Sequence, residues 1–183
     1  MASVYHQVLD ALVGETLYPL SELEYRAPKL YWRQLAKYGD HPSRKHIPYQ
    51  RITKLNCARR DVLNFSPLHP CLVHSAWRAL GVTLPSVHWY QLPVGALLDI
   101  PAVVYRPTAG RTGEDIPEEA TAWLNPATYR EITELSEETR HWYAELCARG
   151  AQGGWFACIP HVLVRGKVSV KDARVIDWQD KNK

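Results

Sequence analysis

The chain has 183 residues, 46% hydrophobic and 22% charged, enough for one compact domain with an ordinary core and too few for two comfortable ones. Its net charge of +3 and pI near 8.7 permit an anionic partner without forming the concentrated basic stripe of a dedicated nucleic-acid binder. No apolar run approaches the roughly twenty residues of a membrane span, and no basic-then-apolar signal segment opens the chain. Cys57, Cys71, Cys147 and Cys158 form no C-x-x-C pair, so free thiols in a reducing cytoplasm are expected.

In chain order, Ser3 to Leu12 reads as a short opening strand that runs towards a helix, with Tyr5, His6 and Gln7 set into it. Pro19 marks a turn and Ser21 an N-cap. Leu30, Tyr31, Leu35 and Tyr38 then recur at helical spacing up to Gly39, and Pro28 either breaks that helix or begins it anew. Between Arg26 and Arg60 ten lysines and arginines face only Asp40, a basic segment that also holds His41, Pro42 and His46. It should end in a short strand about Arg51 to Leu55.

Asp61 to Gly81 predicts a strand, a proline-stiffened turn and a capped helix, with Asn64, Ser66, His69, Cys71 and His74 close together. Val87 to Leu92 and Ala102 to Arg106 read as strands, and Pro93 to Leu98 as one helical turn or a bend. Pro107 to Pro117, with Thr108, Gly110, Thr112 and Gly113, is the most loop-like stretch and the best candidate for a mobile cover. Ser136, followed by Glu137, Glu138 and Thr139, opens the main helix of the second half. Phe156 to Val164 is strand-like, Arg165-Gly166 turns, and Val168 to Trp178 pairs back or extends the sheet. Pro160 belongs at an edge or bulge, which makes His161 a positional candidate for chemistry. Strands concentrated in the second half predict a single α+β domain over residues 1–183, a mixed or antiparallel sheet with flanking helices.

The usual nucleotide, hydrolase and zinc signatures are absent. His69-x-Cys71-x-x-His74 is a partial metal set without a fourth ligand, and a turn-to-helix geometry scatters its side chains, so no metal is expected. Seven Trp and ten Tyr against two Phe suit the stacking of a planar ligand, although most such rings fill cores.

Three segments, in order, resemble the DarT-type DNA ADP-ribosyltransferases. Val4-Tyr5-His6 followed by Leu9 to Leu20 is similar to the family's opening strand, which ends in an aromatic-His pair and holds NAD. Asp61-Val62-Leu63-Asn64-Phe65-Ser66-Pro67-Leu68-His69-Pro70 resembles the strand and small-residue-Pro turn that follow the family's basic segment. Ile159 to Val168, with its apolar run and Arg165-Gly166 turn, is similar to the family's late strand. The resemblance implies an ADP-ribosyltransferase-like fold and NAD as substrate. It implies His6 on the nicotinamide-side ribose, Tyr5 or a nearby Trp stacked on a ring, and Asn64, Ser66 and His69 at the ligand. Arg51, with Arg44 or Arg59 as alternatives, would meet the pyrophosphate through a bidentate fork. His6 and His161 would then face one wall of a nucleotide site made by the DVLNFSPLHP stretch. Where the family places a catalytic glutamate this chain has Pro160 and His161, with no acidic residue from Gly150 to Lys171. An imidazole accepts a proton near neutral pH but brings no negative charge to an oxocarbenium-like centre.

Three readings follow. The first is an enzyme using NAD or a related nucleotide at an N-glycosidic bond, with His161 and Arg51 at the chemistry. The second is a module of the same fold that binds a nucleotide or nucleic acid through the Arg26 to Arg60 segment. The third is a small-molecule enzyme of unrelated fold using His69, Cys71 or His74 as nucleophile or base.

Overall fold

The computed structural model describes residues 2–9, 12, 14–39, 44–107, 114–152 and 154–180. Asp40, His41 and Pro42 of the basic segment lie outside the described residues, as do 108–113 of the expected cover.

The fold is α+β. Its centre is strand β9 (His161–Arg165), which pairs antiparallel with both β5 (Val62–Phe65) and β7 (Ala102–Tyr105); β8 (Thr121–Trp123) closes the far side in the order β5-β9-β7-β8. Val162, Leu163 and Val164 are fully buried, because each face of this sheet is covered, and a strand covered on both faces is an unbroken apolar run. One face, with Leu63, Phe65, Val162 and Val164, packs with Val4, Leu17 and Leu92. The other, with Val62, Val103 and Leu163, packs with Ile52, Leu55 and Ile116. The register places Tyr105 opposite His161 and Asn64 opposite Leu163, so the alternation of side chains puts Asn64, Tyr105 and His161 on that second face.

A second sheet joins β1 (Ser3–Gln7), β6 (His88–Pro93) and β11 (Arg174–Asp177), with β6 between the other two. Tyr5 and Ser66 exchange backbone hydrogen bonds of 2.9 and 2.8 Å, which stitches β1 to the end of β5. Trp77, Trp89, Trp178 and Tyr143 fill a third core with Tyr5 and Leu68, against α3 (Pro70–Ala79) and α4 (Glu137–Ala148). Most of the aromatic excess is therefore spent on packing.

The expected elements meet the structure with instructive departures. Ser136 caps α4 through its Oγ, which accepts from the Thr139 N–H at 3.2 Å. The first helix, α1 (Leu20–Arg26), starts one residue before Ser21 and follows Pro19 without a side-chain cap. Pro28 opens a new helix, α2 (Pro28–Ala36), since a proline in the first turn gives up an N–H that would be unpaired anyway. The strand about Arg51 shortens to β3 (Arg51–Ile52), paired with β4 (Cys57–Ala58). The strand expected from Phe156 begins only at His161. Residues 155–158 are turns, Cys158 has φ of 59°, and Pro160 has no N–H to give a ladder. The segment after β9 does not fold back on it: β10 (Val168–Ser169) pairs with β2 (Thr16–Leu17), and β11 pairs with β6. No helix among the described residues is long and apolar enough to cross a membrane.

Candidate functional site

The second face of the β5-β9-β7-β8 sheet carries the most unusual electrostatics. A 3-10 turn over Arg59–Asp61 leads into β5; the Asp61 carboxylate accepts from the Ala58 N–H at 2.9 Å, and the Arg59 N–H bonds Gln50 O at 2.8 Å. This fold-back turns the Arg59 guanidinium inward. It donates to Gln50 Oε1 and to Asn64 Oδ1, each at 3.3 Å, and lies 5.6 Å from the centre of the Tyr105 ring. Tyr105 in turn stacks on His161, with ring centres 6.3 Å apart and planes at 27°.

Both hydrogen bonds are long and both acceptors are neutral amides, and no carboxylate among the described residues pairs with Arg59. Burial pushes its pKa down, yet arginine holds its proton at any physiological pH. The result is a semi-enclosed cation with incomplete compensation. Burial and the neighbouring Arg59 charge lower His161 to about 3, so its imidazole is neutral and one ring nitrogen is a free proton acceptor. Arg59, Asn64, Tyr105 and His161 each keep some accessible edge.

His6 lies outside this group, packed on Phe65, whose side chain is on the other face of the sheet from Asn64 and His161. Its ring is 5.2 Å from Phe65 and its Nδ1 is 2.7 Å from Gln7 O, which as a carbonyl only accepts, so Nδ1 carries the proton and Nε2 is left as the acceptor. Burial lowers His6 to about 4. The end of α2 reaches both centres, because Lys37 acts electrostatically on His6 and Tyr38 on Arg59. Arg44 lies 5.9 Å from the Tyr38 ring.

The other residues named from sequence are occupied by the fold. Tyr5 donates through its hydroxyl to Glu131 Oε2 at 2.8 Å and meets His69 edge-on at 4.9 Å. Ser66 Oγ donates to Leu68 O and accepts from the Leu68 N–H, which closes its own turn. His69 Nδ1 accepts from the Cys71 N–H at 3.2 Å and so caps α3. Cys71 is buried, and His74 packs 5.5 Å from Trp178. Among the described residues no three His, Cys, Asp or Glu side chains converge as a metal requires. Arg51 stands apart on the β3–β4 hairpin, exposed, with its guanidinium bonded to Asn56 Oδ1 at 2.9 Å.

The structure thus brings Asn64 and His161 together with Arg59, places His6 against Phe65 on the other face of the sheet, and leaves Tyr5, Ser66, His69 and Arg51 elsewhere. Sequence reasoning missed Gln50, a buried amide that donates to Glu114 O, and Tyr105, whose strand was foreseen but whose facing partner was not. It also missed Glu131, whose Oε1 accepts from the Ser3 N–H at 2.6 Å.

Two grooves adjoin at Ile132 and Pro160. The larger, about 750 Å³, has Glu134, Glu137 and Glu138 on its walls, and the smaller, about 320 Å³, has Arg106 and Arg130.

No protein-family model matches this sequence, and no significant match exists among curated proteins or solved structures.

Proposed function

We propose that this protein binds the phosphates of a nucleotide, NAD foremost, against Arg59 and acts at its N-glycosidic bond as an ADP-ribosyltransferase-like enzyme or glycohydrolase. The observation that carries this reading is a semi-enclosed guanidinium that, among the described residues, donates to two neutral amides and to no carboxylate, beside the Tyr105 ring and a neutral imidazole. A cation so placed is costly to keep unless an anion completes it, and phosphate oxygens match the guanidinium fork.

In this reading the C1′–N bond to nicotinamide breaks with its electron pair going to the nicotinamide ring. C1′ then bonds to an acceptor oxygen or nitrogen, water in the simplest case, and the acceptor's proton passes to His161 once the bound phosphate offsets the Arg59 charge that lowers its basicity. The Asn64 amide orients the ligand beside Arg59. No carboxylate takes part, so the stabilisation of the oxocarbenium-like centre is weaker than a glutamate would give and slow turnover is expected.

The experiment is incubation with NAD and chromatography for released nicotinamide, with His161→Ala and His6→Ala in parallel. Release that falls in His161→Ala supports the reading. No release at all, together with no rise in melting temperature on adding NAD, sinks it.

A second reading, binding of a nucleic acid by the basic segment, is favoured by one observation. Tyr25, Trp32 and Tyr49 are 83, 65 and 58% exposed on the elements that carry these cations, and Arg60 lies 6.0 Å from the Tyr49 ring. Exposed rings among arginines stack bases. Fluorescence anisotropy with a single-stranded oligonucleotide, lost in Trp32→Ala and Tyr49→Ala, separates it from the first.

A further inference from the structure

Gln50 stands directly across from Arg59. The β3–β4 register pairs Arg51 with Ala58, and the next position outward sets Gln50 against Arg59, whose N–H bonds Gln50 O at 2.8 Å. Opposed residues of a hairpin send their side chains to one face, and Arg51, one position on, faces solvent instead. Gln50 is itself held in place. It is 4% exposed, follows the 3-10 turn over Ile47–Tyr49, and closes that turn with its N–H on Ile47 O at 3.2 Å.

The Gln50 amide has one permitted orientation. Its end at Glu114 O meets a carbonyl, which only accepts, so that end is the NH₂ and the Oε1 end is the one turned to Arg59, where it accepts at 3.3 Å. Glu114 belongs to a seam along β3. There the Arg51 N–H meets Asp115 Oδ1 at 2.8 Å, the Ile116 N–H meets Arg51 O at 2.8 Å, and the Thr53 N–H meets Ile116 O at 3.1 Å. Gln50 thus ties one terminal nitrogen of the guanidinium to that seam, while Asn64 Oδ1 accepts from the other. Of the five N–H groups of a guanidinium these bonds engage two, and the rest have no acceptor among the described residues.

The acceptor at position 50 is also uncharged. A glutamate in its place would bring a carboxylate to the same nitrogen, as Glu24 does for Arg60 at 2.6 Å, and the cation would be neutralised inside the fold. We infer that Gln50 is the positioning residue of the phosphate site: its locked, neutral amide aims the Arg59 guanidinium and leaves that charge to a ligand's phosphates. This rests on the nucleotide reading above and adds to it the residue that decides whether Arg59 can answer an anion.

Isothermal titration of NAD into the full chain tests it, with far-UV circular dichroism to verify that each variant is folded. Gln50→Glu should weaken NAD binding about tenfold or more, because it gives the guanidinium a carboxylate of its own. Gln50→Leu, which fills the buried position without an acceptor, should weaken it about fivefold by releasing the Arg59 side chain. In an Arg59→Met background the Gln50→Leu change should lower affinity by less than about twofold, since a positioning residue has no effect once the group it positions is gone. A purely structural role would not depend on Arg59 in this way. Affinity within about twofold of the parent chain in either Gln50 variant, or an equal loss from Gln50→Leu with and without Arg59, would overturn the inference and leave the nucleotide reading standing. Absence of NAD binding by the unaltered chain would overturn the nucleotide reading and this inference with it.

Discussion

Arg59 and Glu131 are two partly buried charges of the fold, and they are treated in opposite ways. Both Glu131 oxygens receive a donor, the Ser3 N–H at 2.6 Å and the Tyr5 hydroxyl at 2.8 Å, and the Tyr129 hydroxyl donates to Ser3 O at 3.0 Å beside them. This charge is closed: it fixes the first strand against a segment more than a hundred residues away. Arg59 has only long bonds to amides, although Arg60, the next residue, has a carboxylate partner in Glu24 at 2.6 Å. On the proposed reading, the arginine left without a carboxylate among the described residues takes a ligand's charge, while Glu131 builds structure.

The strongest way to break the comparison is Glu131→Gln. With its Oε1 kept on the Ser3 N–H the amide could only donate to the Tyr5 hydroxyl, reversing that bond, and both charge-assisted bonds would be lost. A loss of about 2–3 kcal/mol in urea unfolding is expected, with NAD affinity of the folded protein unchanged. A loss below about 0.5 kcal/mol, within the range of a neutral surface substitution, would show that Glu131 is no fastening.

Arg59→Met inverts that expectation. Replacing an incompletely compensated cation with an apolar side chain of similar length should leave stability unchanged or raise it by about 1 kcal/mol. The same change should lower NAD affinity by tenfold or more, read as a lost thermal shift. Destabilisation by about 3 kcal/mol with affinity intact would make Arg59 a structural residue and erase the contrast.

Acid sharpens the contrast from another side. His161 and His6 are held to about 3 and about 4 in the fold, against about 6.5 for a free imidazole. The unfolded chain therefore binds more protons between pH 6.5 and about 4, and stability falls as pH is lowered through that window. The slope should approach about 2.7 kcal/mol per pH unit for the pair near pH 5, about 1.36 for each proton. His161→Gln should flatten roughly half of it, while Arg59→Met, by removing the nearby positive charge, should raise the pH at which His161 takes its proton. Chemical denaturation at stepped pH measures both.

How much of this was legible in the sequence follows from the range of each interaction. β-Branched runs and local caps announce themselves, so β5, β7, β9 and the Ser136 start of α4 were readable, and so was the polar density around Asn64. The long-range pairings around the site and along the first strand were not. Gln50 meets Glu114 and Ser3 meets Glu131 across 64 and 128 positions, and no periodicity records such contacts. Ser66 and His69 looked like ligand groups because a turn that satisfies its own backbone uses the residue types a binding site uses. Pro160 misled in the same way: an apolar run leading to it reads as strand, whereas a residue without an N–H defers the ladder to His161.

Arg51 against Arg59 is the finest form of the contrast, and the smallest effect expected. Both sit in the same basic segment with similar neighbours, and sequence alone favours the one at the start of a strand. The two-residue strand β3 turns Arg51 out to solvent, where its backbone N–H meets Asp115 Oδ1 at 2.8 Å and its guanidinium meets Asn56. The 3-10 turn before β5 folds Arg59 in. Arg51→Ala should therefore change NAD affinity less than about twofold and stability by no more than about 0.5 kcal/mol, since exposed polar contacts contribute little. A tenfold loss of affinity in Arg51→Ala would mean that the phosphates lie along the hairpin rather than over β5, and it would move the site away from His161.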